Sequence, residues 1–212
     1  MTRVSLRKLL SPFFEAPAIR LLAVLGVSPN AVTAVGLLGA MASAVLLSFG
    51  QLAVGGAIFL LFGALDLLDG SLARATGRAT PSGAFLDSVT DRVSESVVFL
   101  GILIFYISGE SGFNSLFTPS LGVLLVYIAI VSSVMVSYVR ARSEAVGVDG
   151  SKGIMARPER VAMVGAGLIV GQWWLPAISL TLGLIATGSI ITSLQRVVHV
   201  HRILGQRDNC SL

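Results

Sequence analysis

Four aspartates are the residues of this chain whose types and spacing could do chemistry. Asp66 and Asp69 stand three apart and Asp87 and Asp91 four apart, so each pair occupies one face of a helix. Both pairs border long apolar runs. A carboxylate at the centre of a bilayer costs about 2.5 to 3.5 kcal/mol on insertion scales, and a cluster of them at a membrane boundary needs something to offset it. If the link between the pairs turns their helices toward one another, all four carboxylates converge. Oxygen-only ligands with no nearby His or Cys select hard divalent cations, Mg²⁺ or Mn²⁺, and four acids suit two ions better than one. Such a centre attracts phosphate. Its neighbours fit: Gly70 and Gly83 let a bulky group approach the backbone, Ala73 is small, and Arg74 can fork onto a phosphate. The residues alone leave two other readings open, an Asp and Arg ion-pair cluster and an ion pathway.

The elements that must position these acids are membrane helices. Apolar residues make up 54% of the 212 residues and charged residues 12%, with mean hydropathy +0.87. A soluble domain carries about 25% charge, so both an ordinary soluble domain and a disordered chain are excluded. The net charge of +4 and pI of 9.8 do not indicate nucleic acid, because the chain has little water-facing surface on which to display a basic patch. Cys210 is the single cysteine and supports neither a disulfide within the chain nor a CxxC zinc motif. The N-terminus does not read as a secretory signal, since Pro12, Glu15 and Pro17 interrupt any apolar run.

A helix needs about 20 residues to cross ~30 Å of hydrocarbon. The uncharged stretch from Leu21 to Leu65 is too long for one span and breaks at Ser48 to Gln51, and the stretch from Val161 to Gln195 divides at Gly171 to Pro176. Spans are therefore predicted over about 31–49, 52–69, 87–107, 121–140, 159–172 and 176–195. All 15 basic residues precede the first span or lie on alternate links after it and at the span ends that border those links, which places both termini and the carboxylate cluster on the cytoplasmic side of a cell-membrane protein. Residues 1–20 read as an amphipathic surface helix, with Leu6, Leu9, Leu10, Phe13 and Phe14 on one face and Arg3, Arg7 and Lys8 toward anionic headgroups. The expectation is an all-α, six-span integral membrane protein forming one domain over 1–212.

The string Asp66-Leu-Leu-Asp69-Gly70-Ser-Leu-Ala73-Arg74, continued by Gly83, Asp87 and Asp91, resembles the signature of the CDP-alcohol phosphotransferase family at every defined position and spacing. The resemblance implies a membrane enzyme of phospholipid biosynthesis that displaces CMP from a CDP-linked donor with an alcohol. By that similarity Asp66, Asp69 and Asp87 hold the metal ions, and Asp91 also faces them and acts as general base. Asp69, Gly70, Ala73, Arg74 and Gly83 would line the nucleotide and diphosphate site. Pro29-Asn30-Ala-Val-Thr33 looks like the family's opening motif and would place Asn30 and Thr33 near the cytidine; taken alone, it reads equally well as a helix cap. The family resemblance also implies a homodimer, to which the small residues Gly36 with Ala40 and Gly39 with Ser43 could contribute a packing face.

The alcohol must be read elsewhere. Arg140 and Arg142 end the fourth span, Arg157 just precedes the fifth and Arg160 starts it, and Arg196 ends the sixth. Arginines gathered beside a carboxylate site would attract an acceptor that is itself a phosphomonoester, although each also serves as an ordinary cytoplasmic anchor. Together with Ser137 they are similar to the segments with which some family members hold inositol phosphate: a Ser, a Lys-Ala-Arg run, an Arg-x-Glu-Arg loop and a final Gln-Arg. Arg140 stands where that pattern has Lys, which keeps the charge and changes the geometry. The implied donor is CDP-diacylglycerol and the implied acceptor inositol 1-phosphate, with glycerol 3-phosphate (phosphatidylglycerophosphate synthesis) or another polyol phosphate as the alternative. An ion or solute transporter would instead set its acids at mid-membrane on broken helices.

Overall fold

The computed structural model of the chain describes residues 26–108 and 118–210 with positions 17, 19, 20 and 24, the side chains of Leu67, Asp69 and Cys210 excepted. The surface helix expected over 1–20 therefore lies outside the described residues, apart from those isolated positions. The described chain is helical throughout, with no strand: α1 Pro29–Ser48, α2 Leu52–Ala75, α3 Pro81–Ile107, α4 Pro119–Ala145, α5 Arg157–Gly171 and α6 Pro176–Cys210.

Local chemistry sets the starts and stops. Ser28, Thr80 and Thr118 each stand just before a proline and accept a hydrogen bond from a first-turn backbone N–H, so α1, α3 and α4 begin on a hydroxyl cap followed by a pre-set φ. Past the end of α2, Gly77 takes φ +66° and the Arg78 N–H reaches back to the Ala73 carbonyl at 2.9 Å, which reverses the chain toward α3. A five-residue link then suffices to return Asp87 and Asp91 of α3 to the level of Asp66 on α2.

The six helices close into a ring in the order α1, α3, α4, α6, α5, α2 and back to α1, each packed on two neighbours. All six supply the core, among them Leu47, Phe59, Phe99, Ile102, Tyr106, Val126, Leu168 and Ile185. Glycines permit the tightest crossings. A Cβ on Gly101 of α3 would fall 2.5 Å from the Ala44 carbonyl oxygen of α1, and one on Gly56 of α2 would fall 2.9 Å from the Gly165 carbonyl oxygen of α5. The small-residue stripe of α1 is used the same way. A Cβ on Gly36 would meet Asp66, Gly39 faces Phe62, and Ser43 donates to the Gly55 carbonyl at 2.8 Å. This corrects the expectation that the stripe is a face for a second copy: it packs α1 on α2 within one chain.

The helices begin and end near the predicted spans, and several run further. Four of them, Pro29–Ser48, Leu52–Ala75, Pro119–Ala145 and Pro176–Asn209, are long and apolar enough to cross a membrane by length and composition. Asp87, Asp91, Arg92 and Glu95 all fall between the seventh and fifteenth of the 27 residues of α3, and α5 has only 15 residues.

Candidate active site

The first cavity forms where α1 and α3 begin and α2 ends. It measures about 200 Å³ and is lined by Asn30 and Thr33 of α1, Gly70, Ala73 and Arg74 of α2, and Gly83 and Asp87 of α3. Every donor-site residue expected from the sequence lines it except Asp69, whose side chain is outside the described residues. The capping role on α1 falls to Ser28, which accepts from the Ala31 N–H at 3.2 Å, so Asn30 is left to face the cavity. Gly83 avoids a tight contact, since a Cβ there would sit 3.0 Å from the Thr80 hydroxyl and 3.5 Å from the Asn30 side-chain oxygen. The α2–α3 link adds Arg78 and Thr80, which the motif does not specify. Among the described residues, two helix N-termini and two arginines thus surround a pocket with one carboxylate at its edge, an arrangement suited to a diphosphate.

Beyond that edge stand the acids. Asp66, Asp87 and Asp91 each offer a carboxylate oxygen, and the three lie within 4.8 Å of one another, a spacing compatible with a shared divalent cation. Asp66 is only 6% exposed. The Arg157 guanidinium donates to Asp66 and lies 2.7 Å from Asp91 Oδ1, so a cation already bridges two members of the cluster. Carboxylates that need positive charge, held in an oxygen-only set, fit a hard divalent ion.

A second cavity, about 90 Å³, opens on the other side of Asp91 and is lined by Arg92, Glu95, Ser137, Arg140, Arg157, Arg160 and Arg196. Arg157 and Arg160 enter it together because they are three apart at the start of α5, while Glu159 between them turns back to accept from the Ala156 N–H at 3.1 Å. Arg196 of α6 donates to the Val136 carbonyl at 2.6 Å and to the Lys152 carbonyl at 2.7 Å, and Thr192 accepts from the Met155 N–H at 2.9 Å. These bonds clamp the α4–α5 link against α6. Within that link the Ser151 backbone N–H and hydroxyl both donate to Asp149 and hold its carboxyl below the usual range.

Arg142 is not brought to this cavity. Two residues from Arg140, it points to the opposite side of α4 and lines a separate groove between α4 and α6 with Tyr138, Val200 and His201. Arg140 itself pairs with Glu144 at 2.9 Å. Sequence reasoning gave Glu95 no role, yet it is the partner of Arg160, holding Nε at 2.6 Å and Nη2 at 2.7 Å. The available signal was its place one turn past Asp91 on the same helix face.

The match to known proteins agrees with this geometry. Residues 26–200 match the family model described as CDP-alcohol phosphatidyltransferase. The chain belongs to that family and is a transferase of phospholipid biosynthesis. Among its relatives, a phosphatidylinositol phosphate synthase of Mycobacterium marinum is 37% identical over 91% of this chain and 81% of its own length. An archaetidylinositol phosphate synthase of Methanothermobacter thermautotrophicus is 35% identical over 80% of each. Among solved structures, the Mycobacterium tuberculosis phosphatidylinositol phosphate synthase with CDP-DAG bound superposes with TM-score 0.76 at 35% identity, covering 88% of this chain and 93% of that one. A second structure of that enzyme, in complex with manganese and citrate, has the same TM-score.

Proposed function

We propose that this enzyme transfers the phosphatidyl group of CDP-diacylglycerol to a polyol phosphate, inositol 1-phosphate first among them, and releases CMP. The observation that carries the proposal is the position of α3 between the cavities: Asp87 lines the first and Asp91, one turn on, lines the second. A donor diphosphate in the first cavity and an acceptor phosphate among the arginines of the second would meet at the carboxylates between them. The relatives named for inositol phosphate lipids support the acceptor, and the CDP-DAG complex of the similar structure supports the donor.

In this reading Asn30 and Thr33 face the cytidine, and Gly70, Ala73, Gly83 and Arg74 accommodate and bind the diphosphate. Asp66, Asp69, Asp87 and Asp91 would hold two divalent ions, Mg²⁺ or Mn²⁺, which when bound neutralise the diphosphate and the leaving CMP. Asp91 takes the proton of the attacking hydroxyl. The hydroxyl oxygen forms a bond to the phosphorus that carries diacylglycerol, and the bond from that phosphorus to the bridging oxygen breaks, its electron pair leaving on CMP. Ser137, Arg140, Arg157, Arg160 and Arg196 orient the acceptor through its phosphate. The test is an acceptor panel. Solubilised protein with CDP-diacylglycerol and Mg²⁺ or Mn²⁺ receives inositol 1-phosphate, glycerol 3-phosphate or free inositol, and the lipid formed is identified by mass. Inositol 1-phosphate is expected to support the fastest turnover. Preference for free inositol would overturn the acceptor assignment.

A further inference from the structure

Glu95 brings a negative charge into a cavity that, on the reading above, receives a phosphate dianion. It extends the Asp87 and Asp91 face of α3 by one more turn. Its carboxylate is buried, and its two oxygens accept from Nε and Nη2 of Arg160 in a fork-to-fork pair. Arg160 is 1% exposed, the largest fully buried side chain described. The pairing uses one edge of the guanidinium and leaves Nη1, which is buried without a hydrogen-bond partner. A buried charged donor left unmade is costly, and a ligand oxygen in the cavity that Arg160 lines would satisfy it. Stability is a weak reason for the pair, since replacing a buried ion pair by well-packed apolar residues is often neutral or stabilising. α3 and α5 are also not ring neighbours, so the pair reaches across the interior of the bundle.

We propose that Glu95 is a positioning residue for the acceptor: it locks the Arg160 guanidinium so that Nη1 remains for the acceptor's phosphate. The proposal rests on the acceptor reading and adds a residue outside the family signature. Two physical effects of Glu95 oppose each other, which makes the sign of the result decisive. Charge alone predicts that neutralising Glu95 strengthens phosphate binding. Positioning predicts that it weakens binding, because an amide accepts from one guanidinium N–H and presents its own N–H₂ to the other.

The experiment measures apparent KM for inositol 1-phosphate and for CDP-diacylglycerol in solubilised protein, with thermal melting to confirm folding. Glu95→Gln is expected to raise the acceptor KM roughly ten- to a hundredfold, the loss of one charge-assisted contact, with donor KM within about twofold. Adding it to Arg160→Ala is expected to raise the acceptor KM no further, because Glu95 acts through Arg160. Glu95→Asp keeps the charge and withdraws the fork, so its acceptor KM is expected to rise severalfold even if the Gln variant does not fold. An acceptor KM that falls or stays unchanged in Glu95→Gln or Glu95→Asp overturns the proposal, as does an equal rise in both KM values. Equal use of inositol and its phosphate by the unmutated enzyme would instead overturn the acceptor reading itself.

Discussion

Single side chains divide this site into a part readable from spacing and a part that is not. The residues of the first cavity sit within short stretches of α1, α2 and α3, where helix periodicity fixes which side chains share a face. The arginines of the second are spread over α3, α4, α5 and α6, so their types were legible and their partners were not. Arg142 shows the limit, since charge and position predicted it for the acceptor and only the 100° step per residue turns it away from Arg140. Arg140→Ala is therefore expected to raise the acceptor KM by more than Arg142→Ala does, and the reverse order would restore Arg142 to the site. For Asp91→Asn, turnover is expected to fall by about 10² to 10⁴ with donor affinity largely retained, the usual consequence of losing a general base. Near-normal turnover in that variant removes the base assignment.

At the scale of the elements, hydropathy located the six helices α1 to α6 among the described residues yet marked their apolar length rather than their full length. α2 runs to Ala75 against a predicted end near 69, α4 to Ala145 against 140 and α6 to Cys210 against 195. The extensions carry Arg74, Arg142 and Arg207, and they become helical because the backbone hydrogen-bond ladder continues past the apolar stretch. Packing order was not legible, because the ring depends on which face each helix turns inward. Gly101 tests that order. Gly101→Val places its Cβ against the Ala44 backbone, which cannot yield as a flexible side chain would, and should cost about 1 to 3 kcal/mol or more, read as a lower melting midpoint in detergent. Gly183→Ala in α6 meets nothing within 4 Å and should leave the midpoint unchanged or raise it, as a better helix former does. Equal losses from both would mean that α1 and α3 do not cross at Gly101.

At the scale of the whole molecule, the described residues form a helical ring with an apolar core and a polar end, where Arg160 pairs with Glu95 and Arg157 with Asp66 and Asp91. Six crossings with both termini and the site on the cytoplasmic side are our proposed topology. Replacing Cys210 by Ser and Lys152 by Cys should give a protein labelled by an impermeant maleimide from the cytoplasmic side alone. A homodimer is proposed on the family resemblance, and cross-linking in native membranes that returned only monomer would contradict it. The central claim is that donor and acceptor occupy two cavities at once, on either side of Asp87 and Asp91, and react directly. Isotope exchange between labelled CMP and CDP-diacylglycerol, measured with the divalent ion present and the acceptor withheld, tests this most simply. Direct transfer predicts no exchange until acceptor is supplied, since CMP cannot leave without an attacking hydroxyl; exchange at a rate comparable to turnover would reveal a phosphatidyl-enzyme and contradict the two-cavity account.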